Sequence, residues 1–490
     1  MSQRDPDGQL LPVRIDATSN GEYAPQALAP HSVAANELAQ RWAGDNARRT
    51  GMSRRAFMMS LAGAASTLMA FNHMNAAAGK TGGRFELAGE AALDEAAAAE
   101  TLSGKEFIFD IQGHYVNPEG EWVRKLPPGR QPFRLNNPCI LDAPKEGLDY
   151  LKCLRADEFI KDIFLDSDTD MMVLSFVPST RESEPLTIEE ADQTRRIIDA
   201  MEGEHRLMLH GRVNPNQAGD LEDMERLAAE FPIAAWKTYT QWGPNGKGFF
   251  LTDDVGEAFI AKAKALGVRN IAIHKGLSFG PNSYEHSLCS DIGPIAKRHP
   301  DMNFIIYHSG YDVNVKEEAF VPGKGKAAGI DVLCQSLIDH KVPPNTNVYA
   351  ELGSTWRFLM RDPEQAAHLL GKLIKYCGEH NVLWGTDSIW YGSPQDQIQA
   401  LRAFQISSEF QERFGYPMLS RDLKARIFGL NATKPYGVST EEVLRRSKAD
   451  KVSTKKQVYL EQPDPSFTTY GPKTRAEFLR LRRQQGMGPG

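Results

Sequence analysis

Short apolar runs recur along the chain from about residue 106 onward, and each is followed by a longer stretch of helical period. The runs are Phe107–Ile111, Met171–Phe176, Arg206–His210, Ile233–Lys237, Asn270–His274, Asn303–His308, Asn347–Glu351 and Asn381–Thr386. Between them lie amphipathic segments such as 188–202, 221–230, 254–266, 291–298, 329–340 and 363–379. Near-continuous apolar strands alternating with amphipathic helices predict a parallel sheet covered on both faces. Eight such units over residues 106–438 predict an α/β fold, a (β/α)8 TIM barrel with long loops at its C-terminal face; a doubly wound open sheet is the alternative. No GxGxxG follows the first strand and no GxxxxGK[ST] occurs, so nucleotide binding has no motif behind it.

The flanks read differently. Residues 1–50 show no sustained period and are expected to be poorly ordered. Ser53-Arg54-Arg55-Ala56-Phe57-Met58 opens an apolar, Gly/Ala-diluted stretch that runs to Phe71, and Ala76-Ala77-Ala78 follows. Paired arginines, a short apolar core and small residues predict a twin-arginine export signal over 51–78, and a periplasmic or secreted location. The competing reading is an amphipathic helix that begins with two arginines. The apolar run is too short for a confident membrane span, so no stable membrane insertion is expected. Residues 79–105 form an Ala-rich acidic spacer. Residues 439–490 form a basic helical extension, with 475–483 as an interface or barrel-covering helix.

Composition narrows the class. Of 490 residues 41% are hydrophobic and 24% charged, which is ordinary for a globular chain and excludes a disordered or fibrous one. A net charge of −6 gives no nucleic-acid footprint. The five cysteines are scattered and odd in number, which argues against a disulfide framework.

Chemistry in such barrels is carried by the C-terminal ends of the strands. Those ends here bear Gln112 and His114, Lys237, His274, His308, Glu351 and Asp387. Three histidines and one aspartate converging on one mouth are a donor set for a catalytic divalent metal, zinc or alternatively manganese. Taken singly, each histidine would be read as a hydrogen-bonded, partly buried one. Trp242 and Trp390 follow strands four and eight; with Lys237 they form a candidate contact set for a small carboxylated or cyclic substrate. Packing of these aromatics on the rim, and pairing of Lys237 with a carboxylate, are the competing structural readings. The long connection after strand one adds Trp122, Arg124, Lys125, Arg130 and Arg134.

The segments FDIQGHY, IAIHKG, IIYHSG and LWGTDS, in that order and spacing, with KARIFGLNATKPYGV after them, resemble the amidohydrolase superfamily in its amidohydrolase-related (amidohydrolase 2) branch. That branch includes aminocarboxymuconate semialdehyde decarboxylase and metal-dependent hydrolases. The resemblance implies His114, His274 and Asp387 as metal ligands, with Asp387 also moving the proton of an attacking water. It implies His308 as a neighbouring acid/base. Gln112 stands where the family's HxH has its first histidine, so a neutral amide oxygen replaces an imidazole. The implied activity is hydrolysis of a lactone, amide or ester. Non-oxidative decarboxylation with the same residues and His308 as acid/base is the alternative, and a non-catalytic exported binding barrel is the third reading. A homo-oligomer is expected.

Overall fold

The computed structural model describes residues 11–133, 147–204, 206–278, 284–464 and 471–484. Eight parallel strands in sequential order form one sheet. They are β1 (Phe109–Gly113), β2 (Met171–Leu174), β3 (Leu207–Arg212), β4 (Ile233–Tyr239), β5 (Asn270–His274), β6 (Asn303–Tyr307), β7 (Val348–Glu351) and β8 (Val382–Leu383). Each falls on one of the expected apolar runs, and the fold is the (β/α)8 barrel, not the open sheet. β8 is short, and irregular backbone pairing completes the closure: Ile111 N–H donates to Trp384 O at 3.1 Å and Asp387 N–H to Gln112 O at 3.0 Å. The interior is filled by side chains from alternate strand positions, among them Phe109, Ile111, Val173, Ala272, Ile305 and Leu383. Tyr436 and Val443, from the segment after the last barrel helix, close that core. A packed interior of this kind leaves only the strand ends and loops for chemistry.

The N-terminal flank departs from expectation. From residue 11 it is ordered and packed on the barrel. Leu11, Val13 and Ile15 are fully buried, and Pro30–Arg49 forms helix α1. The physical reason is a pair of buried ion pairs that a period-based reading cannot see. Arg14 Nε meets Asp396 Oδ2 at 3.0 Å, and Arg357 meets Asp16 Oδ1 at 2.6 Å, all four side chains being almost wholly buried. Arg54–Met58 forms α2, and Leu61–Ala77, the apolar stretch of the expected signal, forms α3. The small residues of α3, Ala62, Gly63, Ala64 and Ala65 among them, are buried and allow α1 to pack closely against it. In the expected spacer, Gly83–Phe85 pairs antiparallel with Phe404–Ile406, and Glu95–Leu102 is helical, capped by the Asp94 side chain.

The C-terminal extension is helical, over Thr440–Ser447, Lys451–Glu461 and Arg475–Gln484. Its last helix lies over the barrel mouth, where Leu481 and Arg482 are buried. Cys153 is disulfide-bonded, a bridge not foreseen in the reading against a disulfide framework; Cys289, Cys334 and Cys377 are free and buried. Among the described residues no helix is long and apolar enough to cross a membrane. Arg134 lies outside the described residues.

Candidate active site

The expected strand-end residues gather at the C-terminal mouth in two hydrogen-bonded groups. The first is built on β1 and the turn after β8. Asp110 ties the two together: its carboxylate accepts from Gln112 N at 3.0 Å, from Thr386 N at 3.1 Å and from the Thr386 hydroxyl. Even so, burial pushes the Asp110 carboxyl up to about 7. Beyond this brace, Gln112 Nε2 donates to Asp387 Oδ1 at 3.0 Å, and His114 Nε2 lies 3.2 Å from the same oxygen. His114 is oriented from its other side by the Ser175 carbonyl, 3.2 Å from Nδ1. Ser354 Oγ donates to Asp387 Oδ2 at 2.5 Å. Burial opposes ionisation of Asp387, but the hydrogen bond and charge of His114, then His308 and Ser354, hold its carboxyl below the usual range.

The second group is built on β5 and the turn after β6. His274 Nδ1 and His308 Nε2 are 3.2 Å apart, and His308 Nδ1 is 2.6 Å from the Gly353 carbonyl. Burial drives both imidazoles down, His308 to about 4, so both are neutral near pH 7, the state a metal ligand requires. Glu351 fixes the turn by accepting from His308 N at 2.9 Å and Gly353 N at 2.5 Å, and burial raises its carboxyl to about 8. His308 and Asp387 both have φ near +60°, a backbone conformation costly for such residues and concentrated at functional turns.

Lys237 lies between the groups, fully buried, with its Nζ 3.5 Å from the centre of the Tyr307 ring and 4.6 Å from that of Tyr239. No hydrogen-bond partner faces that Nζ among the described residues, and burial lowers it to about 7. It is therefore a desolvated amine, part charged near pH 7, and not half of a structural ion pair. Trp390 stacks between His114 and Phe133, with ring centres 5.9 and 5.6 Å away. Trp390 and Trp242 line one cavity of about 420 Å³, with Arg130 and Arg482 on its wall.

Two residues at the site carry no sequence signal. Asn20 Nδ2 donates to Asp387 Oδ2 at 2.8 Å, and a Glu22 carboxylate oxygen lies 3.8 Å from His274 Nδ1. Both come from an aperiodic segment more than 80 residues ahead of β1. Among the described residues, the group of three metal-binding side chains with mutually close donor atoms, within 4.8 Å, is Glu22, His274 and His308. The expected ligands His114 and Asp387 stand together in the other group, with Gln112.

Whether these residues suit a divalent cation can be judged from the donors. Gln112 Oε1 is buried without a hydrogen-bond partner among the described residues, an oxygen left free for a ligand. The His274 and His308 imidazoles are neutral near pH 7 and Asp387 is ionised. This set fits a divalent metal ion.

The family model described as amidohydrolase matches residues 165–438, more than half of the chain. The match begins after β1, so it does not include Gln112 and His114. No curated protein matches the chain. Solved structures similar to it include 5-carboxyvanillate decarboxylase LigW from Sphingomonas paucimobilis, at 14% identity and TM-score 0.40, covering 68% of this chain and 100% of that one. 2,6-Dihydroxybenzoate decarboxylase, solved with 2,6-dihydroxybenzoate, is similar at 14% identity and TM-score 0.39, over 68% and 100% of the two chains. An amidohydrolase from Mycobacterium avium subsp. paratuberculosis K-10 gives 14% and 0.39, over 69% and 100%.

Proposed function

The chain belongs to the amidohydrolase family, and we propose that within it this enzyme is a metal-dependent, non-oxidative decarboxylase of a small carboxylated aromatic compound. The observation that carries this reading is the cavity of about 420 Å³ walled by Trp122, Phe133, Trp242 and Trp390 together with Arg130 and Arg482, set over a buried acid/base group. His114 and Asp387 are each 2% exposed, and His274, His308 and Lys237 are wholly buried. The aromatic wall of this cavity suits a flat ring, and Arg130 and Arg482 favour an anionic substrate. The sequence reading placed hydrolysis first; the aromatic, arginine-walled cavity favours its alternative.

A divalent cation held by His114, His274, Asp387 and the Gln112 amide oxygen would supply Lewis acidity toward the substrate's oxygens. The chain's own groups do the rest. His308 donates from Nδ1 to Gly353 O, which leaves Nε2, 3.2 Å from His274 Nδ1, as its unprotonated nitrogen, able to take up a proton and pass it to the ring carbon that bears the carboxylate. Because burial disfavours its charge, the imidazolium formed there is a strong acid. The proton bonds to that carbon, the carbon–carboxylate bond breaks, and CO2 leaves as the electron pair of that bond restores the ring. Lys237 offers a buried positive charge to the anion, and Asp387, kept ionised, orients His114.

The test is product analysis on carboxylated phenols and on lactones. Release of CO2 with one new ring C–H supports the proposal, while water addition without CO2 overturns it in favour of hydrolysis. His308→Ala should keep bound metal and lower turnover by about 10²-fold or more, the scale of a lost general acid. We further propose that the chain works as a homo-oligomer on a small molecule, without nucleic acid or stable membrane insertion, in an exported state. The disulfide at Cys153 supports an oxidising compartment.

A further inference from the structure

The site is dry because the chain seals it with its own N-terminal segment. Asn20 and Glu22 line the cavity of about 420 Å³ beside Trp390, and Glu22 also lines a second cavity of about 500 Å³. On their inner side the same two residues meet Asp387 and His274. They therefore stand between the two cavities and the residues of the proposed chemistry. The turn that brings them there is compact. Glu22 N–H donates to Asn20 Oδ1 at 2.9 Å, and Asn20 Nδ2 is 2.7 Å from a Glu22 carboxylate oxygen. Gly21, at φ +92°, makes a backbone bend that a side-chain-bearing residue rarely adopts.

From this arrangement we infer that residues 18–24 are a built-in stand-in for substrate, with the Glu22 carboxylate in the seat of the substrate's own carboxylate. The surroundings of that carboxylate fit the role. Lys237 and the guanidinium of Arg482 are the basic groups that act on it, while burial first and the like charge of Asp387 second make its residence there costly. A group held at that cost is replaceable by a ligand that brings a carboxylate of its own and adds a ring for the aromatic wall of the cavity of about 420 Å³. Turnover then requires the segment to leave, and the resting chain is self-inhibited. The inference rests on the proposed function for the nature of the displacing ligand, but the sealing contact does not depend on it.

The experiment compares full-length wild type with Glu22→Ala, the conservative Glu22→Gln, and Asn20→Ala. Three quantities are read: metal content, salicylate binding by calorimetry, and the rate at which diethyl pyrocarbonate labels His308, mapped by peptide mass. The expected result is His308 labelling and salicylate affinity each raised at least tenfold in Glu22→Ala, smaller increases in Glu22→Gln and Asn20→Ala, and metal content unchanged throughout. Loss of metal in Glu22→Ala and Glu22→Gln would overturn the inference by making Glu22 a ligand. Unchanged labelling and unchanged salicylate binding in all three variants would overturn it while leaving the proposed function standing. Faster labelling without salicylate binding would overturn the carboxylate seat together with the aromatic-acid reading on which it rests.

Discussion

At the scale of the residue, one carboxyl group outside the site makes a pH prediction with a definite sign. Asp162 is fully buried, neither of its oxygens has a hydrogen-bond partner among the described residues, and Lys161 Nζ is 3.7 Å away. Burial, only partly offset by Lys161, raises it to about 7. The unfolded chain ionises it near pH 4, so between about 4 and 7 the folded state binds more protons and stability falls as pH rises. Above pH 7 the penalty is complete, and below pH 4 it is gone. Asp162→Asn should therefore stabilise the protein at pH 8 by up to about 4 kcal/mol, at about 1.4 kcal/mol per pH unit. The gain should shrink toward zero at pH 4 in urea unfolding series; a gain independent of pH would show that Asp162 is ionised throughout. Gln112 permits a second prediction. Its amide donates to Asp387, so Gln112→Glu sets two carboxylates against each other. In chelator this variant should melt several degrees below wild type, and added Zn²⁺ should raise its melting temperature more than it raises that of wild type. Equal zinc responses would argue against a cation between residues 112 and 387.

At the scale of the element, legibility followed the period. Strands β1 to β8 were readable because each is a short apolar run between helical stretches, and the strand-end positions of His114, His274, His308 and Asp387 followed from that register. Residues 11–28 were not readable, because their place is fixed by single long-range polar contacts. Asp16 with Arg357, Arg14 with Asp396 and Asn20 with Asp387 each join positions more than 300 apart, with no local pattern to announce them. Nor does a sequence period report which strand-end residues pair, so the division into a Gln112–His114–Asp387 group and a His274–His308 group emerged only from geometry. The anchoring role of this segment is open to measurement. Asp16→Ala leaves the Arg357 guanidinium buried without its carboxylate, a change that costs about 3–5 kcal/mol in comparable buried pairs. Urea unfolding should show a loss of that size, and limited proteolysis should cut residues 11–28 first. A loss below about 1 kcal/mol, the range of exposed pairs, would mean that the segment is not held by this contact.

At the scale of the whole molecule, the two ends of the chain meet over the barrel mouth, and the N-terminal one also carries the proposed export signal. Arg54 and Arg55 open α2 at the surface: Arg54 donates to the Gln40 carbonyl at 3.0 Å, and the Arg55 side chain is 79% exposed. The apolar stretch behind them is α3, which is buried against α1, so recognition by an export machinery requires α3 to undock while the barrel stays folded. The eight strands and their ends are built from residue 109 onward, with residues 18–24 lying over them as a cover, which makes that separation physically reasonable. Arg54→Lys with Arg55→Lys keeps both charges and removes only the planar guanidinium groups, at surface positions where such contacts are worth about 0–1 kcal/mol. Stability should therefore be unchanged, while the doubly substituted chain should remain in the cytoplasmic fraction of its host. Normal export of that variant would overturn the twin-arginine proposal. The length of the exported wild-type chain then bears on the site itself. A product cut near Ala78 lacks Asn20 and Glu22, so its His308 should label as fast as that of full-length Glu22→Ala, with no substitution made. An exported chain that keeps residue 22 should instead show the slow labelling of the sealed form. Mass spectrometry of the exported protein, paired with the labelling rate, separates these outcomes.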